Sequence, residues 1–112
     1  MCLFCKIAQR TIPAAVVFES EQVLAFRDIH PMAPTHALVI PKRHIEKIHD
    51  MTAEDGPLLA ELFLASRSVA EQLGLGPKGY RLVVNNGDDG GQSVHHLHVH
   101  VLGGRPMGWP PG

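Results

Sequence analysis

The sequence predicts an α+β domain: an antiparallel sheet of about five strands carrying one long helix and one short one. Three observations point there. A mid-chain segment repeats apolar residues at helical spacing, and several short runs rich in Val, Ile and Phe are bounded by Pro or Gly. The third is size: 112 residues with 45% apolar and 19% charged content suit one modest core. Residues 1–112 therefore read as a single domain, neither disordered nor fibrous.

The elements follow in order. Leu3 to Arg10 reads as a short helix ended by Thr11-Ile12-Pro13, because the residue before proline is pushed out of the helical region. Ala15 to Glu19 and Val23 to Arg27 are strands at hairpin spacing, joined by polar Ser20-Glu21-Gln22. Beyond Pro31 and Pro34, the apolar run Ala37-Leu38-Val39-Ile40 is a central strand stopped by Pro41. Leu58, Leu62, Ala65, Val69 and Leu73 are spaced four, three, four and four apart, which puts them on one face of the long helix. Thr52 or Asp55 can cap it, and Pro57, best tolerated in a first turn, favours Asp55. Gly74 and Gly76 end it. Tyr80 to Val84 is a strand, Gly87 to Ser93 a glycine-rich connector, and His96 to Leu102 a last strand. The irregular ending Gly103 to Gly112 holds the only tryptophan, Trp109, as if it docks onto something.

Ten Lys and Arg against eleven Asp and Glu give a net charge of −1, which offers no general attraction for nucleic acid or an anionic membrane. Two cysteines, Cys2 and Cys5, are too few for a disulfide framework, and no apolar stretch suits a signal peptide or a membrane span. A soluble, cytoplasmic protein is the expectation. The composition is unusual in one respect: eight histidines.

Three of these, His96, His98 and His100, alternate with Leu97, Val99 and Val101. In a strand this lines the imidazoles along one face, about 6.6–6.8 Å apart, and sends the apolar residues into the core. A single metal ion cannot take all three, because the outer two stand about 13 Å apart while zinc–nitrogen bonds are about 2.0–2.1 Å. Nucleophilic catalysis fits better, since a side chain with an ordinary pKa of about 6.5 is mostly neutral at pH 7 and needs orientation more than activation. The upstream glycines allow backbone N–H groups to close on an anion, and Ser93 adds a hydroxyl donor. Such clustered donors favour phosphate over carbonyl as the electrophile, without excluding the latter. Cys2-x-x-Cys5 has the spacing of half a zinc site, and His44 follows a strand end. Two free thiols packed as small hydrophobes are the alternative. A thioredoxin-like pair would need a βαβ setting that these positions lack.

The run His96-Leu97-His98-Val99-His100-Val101-Leu102 resembles the signature of the histidine triad superfamily. Gly90 to Val94, Leu102-Gly103-Gly104-Arg105 and the ending Trp109-Pro110-Pro111-Gly112 resemble its nucleotide-binding (HINT) branch, as do Phe26-Arg27-Asp28-Ile29 and Ala33 to Lys42. The resemblance implies a nucleoside phosphoramidase, which hydrolyses purine nucleoside 5′-phosphoramidates or aminoacyl-adenylates to the monophosphate, with AMP and GMP conjugates as substrates. His98 would attack the α-phosphorus to give a nucleotidyl-histidine. His100 would position the phosphate, and its carbonyl would hold the distal nitrogen of His98. Ser93 would deliver a proton to the leaving amine, with Gln92, Gly91 and Asn85 around the phosphate, and His36 would support the triad.

By the same resemblance Asp28 would accept both ribose hydroxyls, and Phe4, Ile7, Phe26 and Ile29 would form a slot for the base. Read alone, Asp28 is equally a turn-capping residue and the apolar four are core. Relatives with such cysteines bind zinc, so Cys2, Cys5, His44 and His96 would hold a structural ion, while catalysis itself would require no cofactor. HINT relatives are homodimers that join their sheets, which would bring Trp109 to the partner's active site. A nucleotide-binding regulatory module, a zinc-dependent interaction domain and a dinucleoside polyphosphate hydrolase or nucleotidyl transferase are the alternatives. His30 and His49 read as exposed loop residues, and His95 as facing the core or a dimer contact.

Overall fold

A computed structural model describes residues 2–112. The architecture is α+β, with a five-stranded sheet in the order β1-β2-β3-β5-β4. Its strands are β1 (Val16–Glu19), β2 (Val23–Arg27), β3 (Thr35–Pro41), β4 (Tyr80–Val83) and β5 (Val99–Gly103), and every pairing is antiparallel. Helix α1 (Leu3–Ala8) and helix α2 (Gly56–Gln72) cover opposite faces.

Strand alternation sorts the side chains cleanly. Val23 and Ala25 of β2, Ala37 and Val39 of β3, and Val99 and Val101 of β5 pack with Leu62, Ala65 and Val69 of α2. Leu24, Phe26, Leu38 and Ile40 face the other way and pack with Phe4 and Ile7 of α1. The spacing read from Leu58 to Leu73 is thus the seam of α2. On the α1 side the sheet also carries His36 and His100, with Leu38 paired opposite His100.

Several boundaries differ from expectation for identifiable reasons. α1 stops at Ala8 because Arg10 turns into the left-handed region (φ 62°), where Thr11 N–H closes on the Lys6 carbonyl at 2.9 Å. Asp55 does sit at the N-cap position of α2, but its carboxylate accepts from Thr52 N–H at 2.9 Å, completing a capping box around the short 3₁₀ turn Ala53–Asp55. β1 begins at Val16, and a bulge at Val17 lets both Val17 and Phe18 lean on the α2-side core.

The last strand is the consequential correction. β5 begins at Val99, so His96 and His98 lie ahead of it. Val39 pairs with Val99, and continuing that register would oppose Leu97 to Pro41, which has no N–H. The chain peels away instead, and Leu97 N–H donates to the Ile45 carbonyl at 2.7 Å. Among the described residues, no helix is long and apolar enough to cross a membrane.

Candidate active site

The three triad imidazoles stay on the α1 side although only His100 is within the strand. The rings of His98 and His100 lie 4.9 Å apart, and His98 packs edge-on to Phe4 at 5.3 Å. His98 Nδ1 donates to the His96 carbonyl at 2.7 Å. A neutral imidazole whose Nδ1 donates keeps its lone pair on Nε2, which makes Nε2 the nucleophilic atom. The acceptor is His96, not His100 as the resemblance implied; the departure from strand pairing at Leu97 leaves the His96 carbonyl without a strand partner.

A second chain of hydrogen bonds fixes the other tautomers. Met32 N–H donates to His36 Nδ1 at 3.0 Å, so the proton of neutral His36 is on Nε2. His36 Nε2 stands 2.9 Å from His100 Nδ1 and donates to it, leaving the His100 proton on Nε2. Asp28 Oδ2 lies 3.5 Å from the same His36 nitrogen. Burial, with neighbouring His98 and His36 next, pushes His100 down to about 4. Burial likewise lowers His36, against the pull of Asp28. Both rings are therefore neutral donors near pH 7. Asp28, His36 and His100 also cluster as three potential metal ligands, but the Met32 N–H pointing at His36 Nδ1 fixes the proton on Nε2, the nitrogen a metal would need.

Beside this row opens a cavity of about 510 Å³. Phe4, Ile7, Phe26, Asp28, Ile29 and Ser93 all line it, so six of the residues proposed for nucleotide contact come together. Asp28 combines the two roles weighed from sequence: Oδ1 accepts from His30 N–H at 2.8 Å in a turn, while the carboxylate remains at the cavity wall. Pro13, Ala14, Leu38, Val94 and His30 also line the space. Leu38 was discoverable, because a period of two puts it on the face of His36; the loop residues carried no such signal.

The glycine-rich connector behaves otherwise than expected. Gln92 Nε2 donates to the carbonyls of Glu46 (2.7 Å) and Val94 (3.1 Å), and its Oε1 accepts from Gly87 N–H at 2.9 Å. Both amide hydrogens are thus engaged. Gly91 N–H and Gln92 N–H close on Asp88 and Gly87 carbonyls, and Asn85 Nδ2 holds the Gly90 carbonyl at 2.7 Å. These bonds brace the loop; they occupy both amide hydrogens of Gln92 but only one of the two on Asn85. Gly90 is there for space, since a Cβ would collide with the Asn86 carbonyl oxygen. Trp109 lies outside the cavity, 83% exposed. His30 and His49 are exposed as expected, but His95 is exposed as well, 3.7 Å from Glu46, instead of entering the core.

The second cluster joins Cys2, Cys5, His44 and His96. Cys2 is the N-cap of α1, where its sulfur accepts from Cys5 N–H at 3.2 Å, and the three-residue spacing brings both sulfurs to the helix start. His96 Nε2 donates to the Pro41 carbonyl at 2.8 Å, which leaves Nδ1 unprotonated and turned to the cysteines. Sulfur–nitrogen separations are 3.2–3.6 Å, and the two Nδ1 atoms are 3.2 Å apart. A tetrahedral zinc with bonds of about 2.3 Å to sulfur and about 2.0–2.1 Å to nitrogen has edges of roughly 3.5 and 3.4 Å. The donor set fits that ion. Burial, and Cys2 next, raises the Cys5 thiol, an opposition that a shared cation would reverse.

Residues 9–107 match the HIT domain. A HIT-like protein of Synechocystis is 51% identical over 98% of this chain and 96% of its own length. The crystal structure of a HIT family hydrolase from Legionella pneumophila superposes with a TM-score of 0.97 at 56% identity, covering all of both chains. A histidine triad nucleotide-binding protein from Candida albicans gives 0.83 at 32% identity, over 98% of this chain and 83% of the other. With the profile, the sequence relatives and the fold in agreement, the chain belongs to the HIT domain family.

Proposed function

We propose that this protein is a HINT-type nucleoside phosphoramidase, acting on purine nucleoside 5′-phosphoramidates and aminoacyl-adenylates. The observation that carries the reading is the tautomer of His98, whose Nδ1–H is held by the His96 carbonyl so that the Nε2 lone pair is available for attack. His98 Nε2 forms a bond to the α-phosphorus as the phosphorus–nitrogen bond to the amine breaks. Ser93, at the cavity edge, assists proton delivery to the departing nitrogen. The carbonyl of His96 stabilises the positive charge then shared by the nucleotidyl-imidazole. His36 keeps the His100 proton on Nε2, where it donates to a phosphoryl oxygen. Water next attacks phosphorus, the phosphorus–Nε2 bond breaks, and the nucleoside monophosphate leaves with His98 restored. Asp28 accepts the ribose hydroxyls, and Phe4, Ile7, Phe26 and Ile29 enclose the base.

Zinc held by Cys2, Cys5, His44 and His96 is the structural cofactor in this reading. It clamps α1 to the triad segment and supplies no chemistry to the phosphorus. The partner is a second copy, paired through the outer edge of β4, which brings exposed Trp109 to the other protomer's cavity; the compartment is the reducing cytoplasm. The hydrolase of Legionella supports the reaction class, and the nucleotide-binding protein of Candida supports the ligand class. Adenosine 5′-phosphoramidate supplied to wild type and to His98→Ala tests it. Wild type should release AMP, the variant slower by about four orders of magnitude or more; equal turnover would dismiss the mechanism.

A further inference from the structure

Helix α1 carries two sets of side chains that serve different chemistry. Cys2 and Cys5 supply both sulfurs of the four-residue cluster, while Phe4, between them in the chain, and Ile7 form a wall of the cavity. Six residues are fewer than two helical turns, too short to be stable alone, so whatever orders α1 at one set of side chains orders it at the other. Phe4 is 4% exposed, and its ring stands 5.4 Å from Phe26, 5.3 Å from His98 and 6.0 Å from His96. A second link runs through His96, whose Nδ1 faces the cysteines while its carbonyl orients His98.

We propose that metal at Cys2, Cys5, His44 and His96 and a nucleoside monophosphate in the cavity bind cooperatively, with Phe4 the positioning residue that joins the two sites. Zinc occupancy then regulates nucleotide binding, and the nucleotide regulates zinc retention. The inference rests on both the zinc and the nucleotide readings above. Reciprocity is its signature, because linked sites must change each other's affinity by the same factor.

The experiment titrates AMP into the full protein, zinc-loaded and chelator-stripped, by calorimetry, and separately measures Zn²⁺ affinity against a chromophoric chelator with and without saturating AMP. Removing zinc should weaken AMP by about fivefold or more, and AMP should tighten zinc by that same factor. Phe4→Leu, which keeps apolar bulk, should still take up zinc but with a smaller factor, and Cys5→Ser should make AMP affinity indifferent to added zinc. Tight binding of both ligands with no mutual effect overturns the coupling alone. Failure to bind zinc overturns it together with the metal reading, and failure to bind AMP in either form overturns it together with the proposed activity. A zinc effect that persists in Cys5→Ser places the effect elsewhere and also overturns it.

Discussion

Gln92→Ala separates a brace from a substrate contact. The side chain is 7% exposed and makes three hydrogen bonds: two from Nε2, to Glu46 and Val94 carbonyls, and one into Oε1, from Gly87 N–H. Each contributes about 1 kcal/mol net, and losing all three should cost about 3 kcal/mol. For a domain near 100 residues, 1 kcal/mol at the midpoint moves Tm by about 4 °C or more, so the melting temperature should fall by roughly 12 °C. Urea denaturation should give the same loss with an unchanged slope. At a temperature where the variant remains folded, kcat/KM for adenosine 5′-phosphoramidate should fall less than about tenfold, because both amide hydrogens already have protein partners. Wild-type stability combined with a hundredfold loss of kcat/KM would show that the amide touches the phosphate and would refute this reasoning.

Two further outcomes are expected. Asp28→Asn should lose the preference for ribose over 2′-deoxyribose in competing substrates, reducing a discrimination of about tenfold to near unity; retained preference would take Asp28 out of sugar recognition. Stability should also fall with acid in a defined window. His100 is held down to about 4 in the fold while the unfolded chain protonates near 6.5, so the unfolded state binds more protons between those values. Stability from this group is therefore full above about pH 6.5 and is lost progressively as pH falls toward about 4. His100→Asn should flatten that part of the stability curve measured by denaturation at each pH, and an unchanged slope would contradict it.

Much of the fold was legible because burial here obeys simple periods. The spacing from Leu58 to Leu73 could serve only a helix with one buried face, and the apolar run Ala37 to Ile40 marked a strand buried on both sides, though not which side each residue would take. The row of histidines was legible from the alternation of His96, His98 and His100 with apolar residues. What sequence could not convey was where hydrogen bonds go when a ladder ends. Pro41 halts pairing at Val99, and that backbone event decides which carbonyl holds His98. The connector from Gly87 to Ser93 was ambiguous for a related reason: its glycines allow a phosphate cradle or a tight self-closed turn equally well, and only the partners of Gln92 and Asn85 reveal the bracing bonds. The cysteine pair was ambiguous by spacing alone, and it acquires meaning from the unprotonated nitrogen that His96 turns toward it.

The central claim is that His98 Nε2 carries the nucleotide during turnover. Mixing excess protein with adenosine 5′-phosphoramidate, quenching at alkaline pH within the first turnover and mapping the peptides by mass spectrometry tests it most directly. The expected result is one adenylyl group on the peptide containing His98, formed before AMP is released and absent in His98→Ala. AMP released at full rate with no adduct at any time, or an adduct on another residue, would contradict it.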